Sequence, residues 1–137
     1  GFVTADLMSP QPEVVSVRIP LAELVRDHFM RLRFGSYPVV DDGELVGMVT
    51  LEDVKRVPPD QWAAKTAGDT MTALDECALV SPDTSVEEAL QEMSRPTARG
   101  RALVVDGGRL VGIVSASDIA RWIQRLQAME SLVGRTA

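Results

Sequence analysis

The sequence predicts an α/β fold of the α+β kind, made of two copies of a strand–helix–strand–strand–helix unit. Three observations carry this. One phrase is written twice, VVDDGELVGMVTLEDV over residues 39–54 and VVDGGRLVGIVSASDI over 104–119. Nine of its sixteen positions are identical and three more (Met48/Ile113, Thr50/Ser115, Val54/Ile119) are conservative, at a constant offset of 65. Shorter blocks upstream recur in the same order: Asp6-Leu7-Met8-Ser9 with Asp69-Thr70-Met71-Thr72, and Leu21–Val25 with Val86–Leu90. The first of these pairs is offset by 63, so two residues are gained near Ala73–Cys77. Finally, each copy alternates short apolar runs with segments of helical spacing. A repeat of about 60 residues cannot bury both faces of its own small sheet, so the two are expected to stack with pseudo-twofold symmetry.

The elements follow in order. Val14–Val17 and Ala78–Ser81 are apolar enough for short strands. Pro20–Leu32 opens with proline at a helix start and carries Leu21, Leu24, Val25, Phe29 and Leu32 at helical spacing. Thr84–Met93 repeats this with Val86, Ala89, Leu90 and Met93, capped by Asp83 or Thr84 and ended by Pro96. Tyr37–Val40 and Leu45–Thr50 form a hairpin through Asp41-Asp42-Gly43-Glu44. Ala102–Val105 and Leu110–Ser115 form another through Asp106-Gly107-Gly108-Arg109, both with strong turn residues. Their near-continuous apolar character asks for cover on both faces. Helices follow at Leu51–Val57 and from Ala116 to about Met129, with a frayed tail at Ser131–Ala137. The repeats are placed at 3–57 and 67–128, with Pro58-Pro59 opening a linker over 58–66.

The bulk properties exclude several functions. Twenty acidic against fourteen basic residues, a net charge of −6, argues against a nucleic-acid surface. No apolar run reaches the roughly 18 residues of a membrane span, and no signal peptide is visible. A single cysteine, Cys77, excludes an intrachain disulfide and points to a reducing compartment, the cytoplasm. One His and one Cys do not furnish a nitrogen–sulfur zinc site. The chain begins Gly1-Phe2 rather than with Met and reads as a piece of a longer protein. No nucleophile–base pair, metal cluster or glycine-rich phosphate loop stands out, so an enzyme is not expected.

The chemistry gathers where each hairpin runs into its helix, at Thr50-x-x-Asp53 and Ser115-x-x-Asp118. A hydroxyl followed three residues later by an acid is a capping box, and that structural role is expected in both copies. The same junction can serve a nucleotide. Free N–H groups at a helix start suit phosphate, and a carboxylate can take both hydroxyls of a ribose.

The blocks resemble the CBS domain, named after cystathionine β-synthase, which occurs in tandem pairs called Bateman modules. The matching pieces are Asp-x-Met-[Ser/Thr] at 6–9 and 69–72, the VVD-G-LVG-V hairpins, and Gly-h-x-[Thr/Ser]-x-x-Asp at 47–53 and 112–118. The resemblance implies a regulatory module that senses AMP, ADP, ATP or S-adenosylmethionine in a cleft between repeats. It makes Asp118 and Asp53 the ribose residues and Ser115 and Thr50 the phosphate hydroxyls. Ser117 would add a second hydroxyl, Ile113 would touch the base, and Arg101 would meet phosphate. The first repeat departs from this pattern. Ser36 stands at the position of Arg101, Tyr37 at that of Ala102 and Glu52 at that of Ser117, so its site is expected to be weak or empty.

A narrower resemblance lies in Arg33-Phe34-Gly35-Ser36-Tyr37-Pro38-Val39-Val40 followed by Val57-Pro58-Pro59-Asp60-Gln61-Trp62. It is similar to the CBS pair attached to bacterial site-2-protease-type intramembrane zinc metalloproteases. That implies a cytoplasmic appendage, tethered through the full-length protein, with no zinc of its own and no obligatory cofactor. Trp62 otherwise reads as an anchor for the linker. A ligand-free dimerisation module of the same fold is the other reading. For it, Ile119, Trp122, Ile123 and Leu126 offer one apolar stripe, either core or the face of a homodimer. Partners are therefore a second copy and an attached effector domain, not nucleic acid.

Overall fold

The computed structural model describes residues 1–32 and 34–136. Eight strands form two four-stranded sheets: β1 (Ser9–Pro10), β2 (Val15–Ser16), β3 (Ser36–Asp41), β4 (Glu44–Thr50), β5 (Thr72–Ala73), β6 (Ala78–Val80), β7 (Arg101–Asp106) and β8 (Arg109–Ser115). The α-helices are α1 (Leu21–Leu24), α2 (Leu51–Lys55), α3 (Ala67–Thr70), α4 (Val86–Met93) and α5 (Ala116–Thr136). Each repeat is thus strand–helix–strand–strand–helix, as its pattern demands.

The chain folds into two compact units: Pro12–Cys77, and Gly1–Gln11 together with the chain from Ala78 on. In the first unit the strand order is β2-β3-β4-β5; in the second it is β1-β8-β7-β6. The first unit's core is Val15, Leu21, Leu24, Tyr37, Val39, Val49, Val54 and Ala67. The second is built on Ala78, Val80, Ala89, Met93, Ala98, Ala102, Val104, Val114 and Ile119. In each unit the helix crosses over between two parallel strands, β2 with β3 and β6 with β7.

The hairpins are near copies. Asp42-Gly43 and Gly107-Gly108 turn with positive φ at both central positions, the geometry whose twist matches that of paired strands. Both ladders slip at the same place, between Val39 and Val40 and between Val104 and Val105. Val46 and Val111 are the extra residues, each a bulge that bends its strand.

The sequence pattern misses β1 and β5. β1 precedes the first repeat's core yet pairs antiparallel with β8; β5 belongs to the second repeat's lead and pairs with β4. Each repeat thus lends its leading segment to the other's sheet. This explains the repeated glycine. A Cβ on Gly112 would come within 2.5 Å of Met8 Sδ and 3.1 Å of Ser9 O. One on Gly47 would meet Met71 Sδ at 2.8 Å and collide with the Thr72 carbonyl oxygen. The Met of each Asp-x-Met motif and the Gly of each hairpin are two halves of one close approach.

Other boundaries shift for local reasons. The first helix is α1 continued by a wider π-turn, Val25–Phe29, instead of one regular helix to Leu32. Both consecutive rings, His28 and Phe29, then meet Tyr37. The cap of α4 is Ser85, whose hydroxyl accepts from Glu88 N–H at 3.2 Å. Thr84 is not available for that role because its hydroxyl accepts from Ser81 N–H at 3.0 Å, closing the preceding turn. α2 ends at Lys55, with Val57 N–H bonding Val54 O before Pro58. α5 does not fray at Ser131 but runs to Thr136, since Ala, Arg, Gln, Leu, Met and Glu fill it. Ala137 of the expected tail lies outside the described residues, as does Arg33 of the Arg33–Val40 phrase. Trp62 is the anchor expected of it: its indole N–H donates to Val57 O at 2.8 Å and its ring packs on the first unit's core.

Candidate functional site

The two junctions fold alike because their sequences cap alike. In the first, Thr50 N–H donates to Asp53 Oδ2 at 2.9 Å and Asp53 N–H donates to Thr50 Oγ1 at 3.1 Å. In the second, Ser115 N–H donates to Asp118 Oδ2 at 2.8 Å and Asp118 N–H donates to Ser115 Oγ at 3.1 Å. Both are complete capping boxes, each removing two unsatisfied donors from a helix start.

Burial separates them. Thr50 and Asp53 are sealed, at 0% and 2% exposed. The Asp118 side chain is 13% exposed and lines a cavity of about 200 Å³ with Asp6, Leu7, Arg121, Trp122 and Arg125. Both carboxylates cap a helix, and of the two Asp118 borders a cavity while Asp53 is closed off from solvent.

The structure also gathers most of the other expected residues on one side of the second unit's sheet. Arg101 and Ser115 are direct partners across the β7–β8 ladder, and Ile113 lies two residues before Ser115 on the same face. All three are half-buried, while Val114 between them points into the core. The Arg101 guanidinium donates to Arg99 O at 2.8 Å. Ser117 sits exposed in the first turn of α5.

In the first unit the partner of Thr50 is Ser36, and next to it Tyr37 pairs with Val49. Tyr37 is 1% exposed and meets His28, Phe29 and Phe34 edge-on, with ring centroids at 5.3, 5.1 and 6.1 Å. Its hydroxyl has no hydrogen-bond partner among the described residues. Burial, and then the charge of Glu13, push its ionisation above the ordinary value. The neutral phenol is the form the fold tolerates, so its contribution is intact below about pH 10 and is lost as pH rises through the higher folded value. Tyr37→Phe is expected to leave neutral-pH stability unchanged or to raise it by up to about 1 kcal/mol, since no bond is lost. It should also flatten the alkaline fall. Thermal melts between pH 7 and 11 check both; a clear loss at pH 7 would show that the hydroxyl is bonded.

Sequence reasoning missed Arg121, which donates to Asp118 Oδ1 from one turn along α5. The i, i+3 spacing of Asp118 and Arg121 on a helix was the available signal. It also treated residues 119–126 as one stripe, which the structure divides. Ile119 is core, Trp122 packs edge-on to Phe2 at 4.5 Å, and Ile123 is 43% exposed. Among the described residues no group of three or more His, Cys, Asp and Glu could hold a metal ion, and no helix is long and apolar enough to cross a membrane.

Comparison with known proteins meets this geometry directly. The model of the CBS domain matches residues 3–60 and again 67–125, each span including one junction. The chain belongs to the CBS-domain family. It is a tandem pair, a regulatory module. The CBS pair is 32% identical over 124 residues to Rip3 of Mycobacterium tuberculosis, whose name describes a zinc metalloprotease. That match covers 90% of this chain and 32% of Rip3. It is 31% identical over 127 residues to zinc metalloprotease MJ0392 of Methanocaldococcus jannaschii, covering 93% of this chain and 34% of the relative. The CBS pair thus spans about a third of these relatives' length, and their names agree with the resemblance to metalloprotease-attached pairs. Among solved structures, the CBS-pair protein CBSX2 from Arabidopsis thaliana superposes with a TM-score of 0.78 at 24% identity, covering 93% of this chain and 98% of that one. CBSX2 has also been solved in complex with AMP, with a TM-score of 0.74. At that identity the likeness establishes the fold.

Proposed function

We propose that this CBS pair senses an adenine nucleotide on behalf of a larger protein, with one ligand per chain held at the second repeat's junction. The observation that carries this reading is the contrast between Asp118, reachable beside a cavity, and Asp53, sealed in the core of its unit. In this reading Asp118 takes the ribose hydroxyls, Ser115 and Ser117 offer hydroxyls to phosphate at the start of α5, and Arg101 supplies charge. Ile113 gives the base an apolar contact. Thr50 and Asp53 keep their capping roles, and Glu52 and Tyr37 leave the first site weak. The AMP complex of CBSX2 supports a nucleotide as the class of ligand for this fold. The metalloprotease relatives support an effector of that kind, with the CBS pair as its cytoplasmic regulatory piece.

Calorimetry with AMP, ADP, ATP and S-adenosylmethionine tests it. One of them is expected to bind saturably at one per chain and to raise the melting temperature by mass action. No heat and no thermal shift at millimolar ligand would sink the nucleotide reading.

The second reading, a module that works by self-association, is favoured by one observation. Ile123, Met129, Leu132 and Val133 of α5 are 43–65% exposed, more apolar surface than a solvated helix needs. The two readings are compatible, and a homodimer is expected. Light scattering checks it: a dimer mass for the wild type and a monomer mass for Ile123→Glu are the expected results. A monomer mass for the wild type at high concentration would rule the dimer out.

A further inference from the structure

Asp118 is already engaged by its own chain. Oδ2 accepts from its own junction, the Ser115 N–H at 2.8 Å. Oδ1 accepts from the Arg121 guanidinium, whose side chain is 65% exposed while that of Asp118 is only 13% exposed. Arg121 and Arg125 line one cavity with Asp118 and Asp6. A ribose diol that takes Oδ1 therefore competes with a guanidinium for it. The displaced cation stays on the cavity, one turn from a second one, with water in place of the carboxylate.

Resting on the nucleotide reading above, we propose that Arg121 is the specificity-determining residue of this site. It covers the ribose carboxylate until a ligand arrives that brings an anionic group along with its diol. A phosphorylated nucleoside gives Arg121 a new partner in exchange for Asp118, and a guanidinium–phosphate pair is charge-assisted and commonly bidentate. A plain nucleoside breaks the ion pair and returns nothing. A sulfonium nucleoside such as S-adenosylmethionine carries no phosphate, and its single carboxylate sits on a flexible arm beside an ammonium, so it offers the guanidinium a weaker exchange. The ligand class is thereby narrowed to phosphorylated nucleosides.

The test titrates adenosine and AMP into the wild type, Arg121→Gln, Arg121→Lys, Arg125→Gln and Asp118→Asn, each shown to be folded by its melt. The wild type should prefer AMP to adenosine by at least about tenfold. In Arg121→Gln the preference should shrink by about fivefold or more, AMP losing affinity and adenosine gaining up to about fivefold as the exposed ion pair disappears, while Arg101, Ser115 and Ser117 keep the rest. Arg121→Lys should restore part of it. Salt gives a separate readout. Screening weakens the Arg121–Asp118 pair, so adenosine should bind the wild type more tightly at higher ionic strength and Arg121→Gln equally at all. Asp118→Asn should weaken both ligands. An unchanged preference in Arg121→Gln, while Asp118→Asn still loses binding, would overturn this inference and leave the site standing. The same loss of preference in Arg125→Gln instead would assign the selection to the wrong arginine and overturn it too. Failure of the wild type to bind either ligand would overturn the nucleotide reading itself, and this inference with it.

Discussion

Asp118→Ala is expected to weaken nucleotide binding by about thirty- to a thousandfold, the cost of two charge-assisted hydrogen bonds to a ribose. Asp53→Ala should leave the affinity nearly unchanged, because the Asp53 carboxylate lies at the core of its unit and caps α2. The two should differ the other way in stability. Each loses the acid half of a capping box, at about 0.5–2 kcal/mol. For Asp53 the vacated space is sealed and the Thr50 N–H loses its acceptor in a dry environment, which adds about 1–3 kcal/mol. The Ser115 N–H can find solvent once Asp118 is gone. Calorimetry and chemical denaturation on the two variants check the crossing. If Asp53→Ala abolishes binding and Asp118→Ala does not, the ligand sits at the other repeat.

Gly47→Ala should be among the most damaging single-methyl changes in the chain. The added Cβ collides with the Thr72 carbonyl oxygen, which is backbone held in the β4–β5 ladder and cannot swing away. Overpacking of this kind typically costs about 1–3 kcal/mol. Here the upper end is expected, with β5 displaced from the sheet edge. Gly112→Ala is the matched control. Its nearest neighbour is Met8 Sδ, the far end of a flexible side chain, and Ser9 O stands off at 3.1 Å. A smaller loss, about half that of Gly47→Ala, is expected by the same overpacking argument. Denaturation midpoints decide it: equal losses would mean that the two leading segments yield alike.

Much of the site was legible because it is local. Thr50-x-x-Asp53 and Ser115-x-x-Asp118 span one helical turn, so their capping boxes follow from residue type and spacing without any tertiary knowledge. Arg101 opposite Ser115 does not follow from the two-residue hairpin turn, which alone would pair Arg101 with Val114; the bulge at Val111 moves the register by one and brings Ser115 there. Arg121 was legible in principle, three residues after Asp118, but charged residues on an exposed helix are too common for spacing to single one out. Whether a carboxylate is reachable was not legible at all. Asp53 and Asp118 share the same motif and the same capping bonds, and the packing around them differs.

The stripe on α5 shows the same limit. Ile119, Trp122 and Ile123 read alike as apolar positions, yet Ile119 is core, Trp122 turns to Phe2 more than a hundred residues earlier in the chain, and Ile123 is left to solvent. Helical periodicity says which residues share a face but not what covers it.

By itself the sequence determined the duplication, the order of elements in each repeat, the two hairpins with their Asp-Gly and Gly-Gly turns, and the capped junctions. All are short-range consequences of backbone preference and apolar period. Tertiary structure alone decided that β1 and β5 cross to the other repeat's sheet. It also decided that Gly47 and Gly112 are needed to let them in, and that Asp118 borders a cavity while Asp53 is sealed. A two-residue edge strand has no periodicity to read, and its partner is chosen by which distant sheet edge offers a backbone ladder and room for a methionine.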